Sequence, residues 1–309
     1  MKSQIISSPD LFDFRKTIEH LTHYRQRSGA DVNEDNVYYR VINYKGQYLP
    51  VAVQQAEQQG KLIVGLPDHH SMEELNYAVN KMSQMLGFGS DLSGFYESVR
   101  HDPPLERITK TFYGLSPSLS ESIFEALVTA VIGQQISATV ARVIRDLIVD
   151  TFGVEVQAFS KTLKSFPSPE TILAATHEEL RSVKLSGRKA EYLHDISLKI
   201  LEGEINEEKF DSLDDKTIIE ELIKARGIGR WTAQWILIRA MGRPDVSPSG
   251  DLVLKKSISE LYNINKPLSD SECEVFMKNM WSPYRSFATT YLFANLRTQR
   301  ALLSMMNSE

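Results

Sequence analysis

The chain has 309 residues, of which 42% are apolar and 24% charged, with a formal net charge of −5 at neutral pH. This is an ordinary balance for a globular protein of two or three domains. It argues against a membrane span, since no run approaches about 20 consecutive apolar residues, and against a uniformly basic nucleic-acid coat. A lone cysteine, Cys273, excludes an internal disulfide framework and suits a reducing compartment.

In chain order, residues 10–22 carry apolar positions at helical spacing (Leu11, Phe12, Phe14, Ile18, Leu21), behind a cap expected at Ser8 with Pro9 at the first helical position. The apolar run before them is too short for a secretory signal. Three strands are then predicted at Val37–Tyr44, Gln47–Gln54 and Lys61–Leu66, the first two joined at Lys45-Gly46. Pro50 marks the second of them as an edge strand. Ser71-Met-Glu-Glu reads as a capping box opening a helix over 71–86, with Leu75, Val79, Met82 and Met85 on one face. Residues 1–90 therefore predict a small α+β unit. Gly87-Phe-Gly-Ser matches only the start of a dinucleotide fingerprint and lacks its strand-to-helix setting.

From residue 91 onward the pattern is nearly all helical. Ser120–Phe152 repeats apolar residues near a 3.6 period and breaks at Ile132-Gly-Gln-Gln-Ile-Ser137, where Ser137 caps a second helix that Gly153 closes. Further helices are predicted at about 170–182, 187–202, 215–225, 230–241, 250–261, 271–279 and 284–300. No repeat or low-complexity segment interrupts them.

One constellation carries chemistry. Residues 222–235 spell a helix, a tight Gly227-Ile-Gly229 turn and a second helix that opens Arg230-Trp231. Such a turn aims backbone N–H groups outward at a helix N-terminus, a natural phosphate seat. Its two glycines, Gly227 and Gly229, allow positive φ and close approach of the backbone to a ligand. A carboxylate, Asp251, follows Trp231 by twenty residues in Val-Ser-Pro-Ser-Gly-Asp-Leu. An Asp opening a helix is ordinarily its N-cap. Around this motif sit three basic clusters: Arg181, Lys184, Arg188 and Lys189; Arg226 and Arg230; and Lys255 with Lys256. These clusters are expected to share a phosphate-facing side despite the acidic total.

With these residues the chain resembles the helix-hairpin-helix superfamily of DNA glycosylases, and within it the 3-methyladenine DNA glycosylase II (alkylation-repair) branch. The resemblance covers most of the chain and is most specific at Gly-Ile-Gly-Arg-Trp-Thr-Ala with the Asp spacing. It implies a mostly α, multi-domain α+β protein: a small antiparallel sheet with helices over 1–90, then a two-lobed helical body over 91–309. The central lobe falls at about 116–245, and the second combines 91–115 with 246–309.

The resemblance implies an N-glycosidic bond hydrolase that flips alkylated purines such as 3-methyladenine and 7-methylguanine out of double-stranded DNA and leaves an abasic site. Asp251 is the implied catalytic group, stabilising oxocarbenium character on the sugar or orienting the attacking water. Bifunctional relatives place a Schiff-base lysine where this chain has Trp231, so simple hydrolysis is expected. Trp231 and Trp235 share a helix face at i,i+4 and, with Phe293, would form an aromatic pocket whose ring faces attract a cationic base. Trp281, in Trp-Ser-Pro-Tyr-Arg-Ser, reads as structural. Gln134 and Gln135 lie at the helix break, where a residue must fill the gap left by a flipped nucleotide. Relatives often have an apolar wedge at the position of Gln135, and here it is glutamine. Gly227, Gly229 and Arg230 are the expected contacts to the DNA backbone.

No metal site is expected. One cysteine cannot supply the four thiolates of the [4Fe–4S] cluster found in several branches, and the histidines form no zinc pattern. No organic cofactor is implied; the family leaves room for a monovalent cation on the hairpin carbonyls near Gly227 and Gly229. A monomer in the bacterial cytoplasm or nucleoid, away from membranes, is the expectation. Two other readings stay open: a helix-hairpin-helix DNA-binding protein without catalysis, in which Asp251 is only a cap, and a glycosylase for oxidised or deaminated bases.

Overall fold

The computed structural model describes the backbone of residues 1–306 and the side chains of residues 1–299; the last three residues of the expected helical body lie outside the described residues. The N-terminal part runs β1 (Lys2–Ser7), α1 (Phe14–Leu21), β2 (Arg27–Ser28), β3 (Asp31–Glu34), β4 (Val37–Tyr44), β5 (Gln47–Gln55), β6 (Lys61–Leu66) and α2 (Met72–Met85). Its six strands form one antiparallel sheet in the order β1-β6-β5-β4-β3-β2. The β4–β5 hairpin turns at Lys45 (φ 51°) and Gly46 (φ 82°), the two left-handed residues that a type I′ turn requires. Helix α2 opens with the full Ser71/Glu74 capping box. Its Leu75, Ala78 and Met82 are buried with Ile18 of α1 and with Leu49, Val51 and Val64 of the sheet.

Two expectations for this part are corrected. Helix α1 starts at Phe14 with Asp13 as its cap, because Pro9–Phe12 closes into a turn (Phe12 N to Pro9 O, 3.1 Å) and consumes the apolar residues read as its first turn. Strand β5 is interior to the sheet. Pro50 is tolerated because β6 pairs only with Ala52–Gln55, so opposite β4 the strand is locally an edge at Pro50 and no ladder donor is missed there.

The remainder is helical: α3 (Leu92–Ser98), α4 (Pro103–Thr111), α5 (Ile123–Gly133) and α6 (Ala138–Phe152), then a short hairpin, β7 (Glu155–Ala158) with β8 (Lys161–Lys164), which the all-helical expectation for this part did not include. There follow α7 (Pro169–Ala174), α8 (His177–Ser182), α9 (Gly187–Leu201), α10 (Glu207–Asp211), α11 (Asp215–Leu222), α12 (Arg230–Arg239), α13 (Leu252–Leu261), α14 (Asp270–Trp281) and α15 (Arg285–Met306). Ser137 caps α6 and Gly153 ends it. The single helix read over 170–182 is two, because Thr176 starts a new capping box with Glu179.

Buried apolar side chains of the helical part form two main clusters. One draws on residues between Ile123 and Val246, joined by Ala30. The other joins Leu92–Leu115 to residues between Leu254 and Ala294 and includes Trp281. Arg40 of β4, 1% exposed, ties the sheet to α5. It donates to Asp31 at 2.9 Å and, across the boundary, to Glu125 at 2.6 Å. A buried guanidinium needs such carboxylates, so this network sets how the sheet sits on the helices that carry the hairpin.

Candidate active site

The turn between α11 and α12 begins with Gly227 at φ +83°, and a Cβ there would lie 2.3 Å from the Tyr192 ring of α9. Conformation and space both demand glycine. Gly229, read in the sequence as a second flexible position, is the N-cap of α12 with extended backbone (φ −93°, ψ 175°) and no side-chain cap. Nothing stands within 4 Å of where a Cβ would lie on it, so the start of α12 is open on that side. Arg230 is exposed at that helix start. In the flanking basic clusters, Arg226 is bonded to Glu191 and Lys255 to Asp270, while Arg181 and Arg188 are exposed.

Asp251 caps its helix and also faces the indole of Trp231. Its Oδ1 caps α13, accepting from the amides of Val253 (2.9 Å) and Leu254 (3.0 Å), while Oδ2 accepts from Trp231 Nε1 at 3.0 Å. The residue is 9% exposed and lines a cavity of about 330 Å³ with Trp231, Trp235, Phe293, Arg239 and Arg297. That volume lies at the small end of the usual range for small-ligand sites. The three aromatic rings meet edge to face: Trp231–Trp235 at 6.4 Å and Trp235–Phe293 at 5.5 Å between centroids.

Gln134 and Gln135 lie outside this cavity and diverge. The Gln134 amide turns inward, donating to Gly227 O (2.8 Å) and Thr232 Oγ1 (3.0 Å). Gln135 is exposed, with φ +58°.

The deep end of the cavity was missed at the sequence level. Arg239 lies over the Trp235 ring at 5.6 Å, and burial with nearby Arg145 pushes its pKa down to about 10. Burial, then Arg239 and Arg145, pushes Arg297 down to about 9. His20 and His23 are held well below the ordinary imidazole value by burial and these arginines, so both are neutral at pH 7. Arg297 Nη1 donates to His20 Nε2 at 3.1 Å, which places the imidazole hydrogen on Nδ1. That atom and Trp235 Nε1 are buried donors without a protein acceptor among the described residues. A signal did exist: Trp231, Trp235 and Arg239 recur every four residues, as do Phe293 and Arg297, so each arginine extends an aromatic face already recognised.

A larger cleft of about 700 Å³ lies elsewhere and carries Glu121, Glu170, Glu207, Glu208 and Asp211. Its carboxylates would repel a phosphate backbone, so size does not select it over the smaller cavity beside the hairpin. Among the described residues no cluster of His, Cys, Asp or Glu is arranged to hold a metal ion, and no helix is long and apolar enough to cross a membrane. Cys273 is buried, its thiol pushed up to about 11 by that burial.

The site thus joins an uncapped helix-hairpin-helix turn to an indole that meets a carboxylate twenty residues on. Half of the chain, residues 128–283, matches the HhH-GPD superfamily of base excision DNA repair proteins, and the chain belongs to it. It is 30% identical over 292 residues to a DNA-3-methyladenine glycosylase of Bacillus subtilis (strain 168), spanning 94% of this chain and 95% of that protein. Among solved structures, the 3-methyladenine DNA-glycosylase from Archaeoglobus fulgidus superposes with a TM-score of 0.83 at 28% identity, covering 94% of this chain and 97% of that one. The apo form of Clostridium acetobutylicum 8-oxoguanine glycosylase/lyase shares the fold at 21% identity, with a TM-score of 0.75 over 95% and 96% of the two chains.

Proposed function

We propose that this chain is a DNA glycosylase for alkylated bases in base excision repair, hydrolysing the N-glycosidic bond and leaving an abasic site. The carrying observation is the Asp251 carboxylate bonded to Trp231 Nε1 at 3.0 Å on the wall of a base-sized cavity. The names of the Bacillus subtilis and Archaeoglobus fulgidus relatives support it. Cleavage builds positive charge on the deoxyribose, and a fixed carboxylate stabilises that charge and orients water for attack. Three hydrogen bonds occupy Asp251, leaving lone-pair capacity on an ionised carboxylate for the sugar or the water.

In this reading a flipped 3-methyladenine or 7-methylguanine lies against Trp231, Trp235 and Phe293, and exposed Gln135 fills the gap it leaves. Gly227, Gly229 and Arg230 present the hairpin to a DNA phosphate, with room for a monovalent cation on its carbonyls. The helical body acts as two lobes, about 116–245 and 91–115 with 246 onward, supported by its two separate apolar clusters. The enzyme works as a monomer in the cytoplasm. The test incubates the protein with methylated duplex DNA and counts free base and abasic sites before and after alkali. Base release with strand cleavage only after alkali is expected; no release sinks the proposal.

A second substrate reading rests on the arginines. Arg239 already occupies one approach to the Trp235 ring, and the unpartnered donors at the deep end offer nothing to a cation. Those groups suit a neutral base that carries carbonyl or ring-nitrogen acceptors, such as a deaminated purine. Faster release of hypoxanthine than of 7-methylguanine from matched duplexes would favour it.

A further inference from the structure

Lys189 occupies the first turn of α9, which Ser186 caps. A cation there opposes the helix dipole and weakens its own helix. Its ammonium is instead directed to the far end of another helix. Lys189 Nζ donates to Ile132 O at 2.7 Å and to Gln134 O at 2.8 Å, two carbonyls at the C-terminus of α5, where a positive charge is favoured. Burial there lowers its pKa.

Gln134 carries the contact onward, its amide reaching Gly227 O and Thr232 Oγ1 on the hairpin. One turn along α9, the Tyr192 ring packs on Gly227. The N-terminal two turns of α9 thus hold both the loop and the hairpin. Between them, Gln135 is held exposed in a left-handed conformation that glutamine adopts only under constraint.

We propose that Lys189 is a positioning residue for opening the duplex: it fixes the 133–137 loop to the hairpin, so that Gln135 enters the base stack in register with the phosphate held by the turn. The inference rests on Gln135 as the gap-filling residue. Lys189 touches neither the cavity nor Asp251 and acts through the loop. Its contribution is therefore needed when a base must be displaced from its pair, and not when the lesion is already unpaired.

The experiment uses the full chain and one oligonucleotide carrying a single 7-methylguanine, either paired with cytosine or set opposite an abasic site, with base release followed in single turnover. Lys189→Met is expected to slow release from the paired duplex about tenfold, the scale of one lost charge-assisted hydrogen bond. Release from the unpaired substrate should stay within about twofold, and Lys189→Arg should recover most of the paired rate. If Lys189→Met is unstable, Lys189→Gln, which keeps a donor, should show the same selective loss on a smaller scale. Equal loss on both substrates, or no loss on either, overturns the proposal. Gln135→Ala separates the two claims: without a loss on paired DNA, the gap-filling reading itself fails, whereas a loss there with Lys189→Met unaffected removes only Lys189.

Discussion

Asp251→Asn isolates charge from shape at the candidate catalytic position. Asparagine caps a helix about as well as aspartate, so its Oδ1 keeps the amides of Val253 and Leu254. That choice turns the amide nitrogen toward Trp231 Nε1, 3.0 Å from the present oxygen, and sets donor against donor. The variant loses one hydrogen bond to a charged group, about 1.5–3 kcal/mol, and a charge–dipole contribution of about 0.3–1 kcal/mol. Relief of burying a charge offsets part of this. A net loss of roughly 1–3 kcal/mol lowers Tm by several degrees at most and leaves the protein folded at 25 °C, against a usual stability of about 5–15 kcal/mol. Base release should fall about 10²–10³-fold, because the carboxylate's charge is needed only as the oxocarbenium ion develops. Single-turnover release of 7-methylguanine, paired with a binding titration on abasic-site DNA, distinguishes the two effects. Lost turnover with binding retained is expected; wild-type turnover would reduce Asp251 to a helix cap and refute the catalytic reading.

Borohydride should not trap the protein on DNA during base release, since Trp231 offers no amine and Lys255 is bonded to Asp270; covalent trapping abolished by Lys255 or Lys256 substitution would contradict hydrolysis. Trp231→Ala should lose excision of alkylated bases with the fold intact, since the indole lines an open cavity rather than a sealed core, and in competition the wild type should release 3-methyladenine and 7-methylguanine ahead of 8-oxoguanine; the reverse order would mean the aromatic faces do not select the base. His20 and His23 are depressed in the folded state, so the unfolded chain binds more protons below the ordinary histidine pKa of about 6.5, and stability should fall as pH drops through that value. Arg297→Met removes one depressing charge and should raise the His20 pKa in an NMR titration; an unmoved His20 would deny that the arginine acts on it.

Much of this protein was readable because the signals are local. The Ser71 capping box, the Ser137 cap, the Gly153 stop and the Lys45-Gly46 turn each depend on a few neighbouring residues, and each forms where those residues stand. The Gly-Ile-Gly turn, the i,i+4 tryptophans and the spacing to Asp251 likewise lie within thirty residues of one another. Where the local pattern met a long-range partner, it failed. Pro50 reads as an edge, yet β6 covers the other half of its strand. Gln134 reads as a twin of Gln135, yet a carbonyl 93 residues away turns its amide inward. The cavity's deep end is set by His20 and Arg297, 277 residues apart. Periodicity and capping decide which face of an element is apolar and where it stops. Which charges then share a buried space depends on how elements distant in the chain dock, and only the tertiary packing of α1, α12 and α15 puts arginine, imidazole and indole around one cavity.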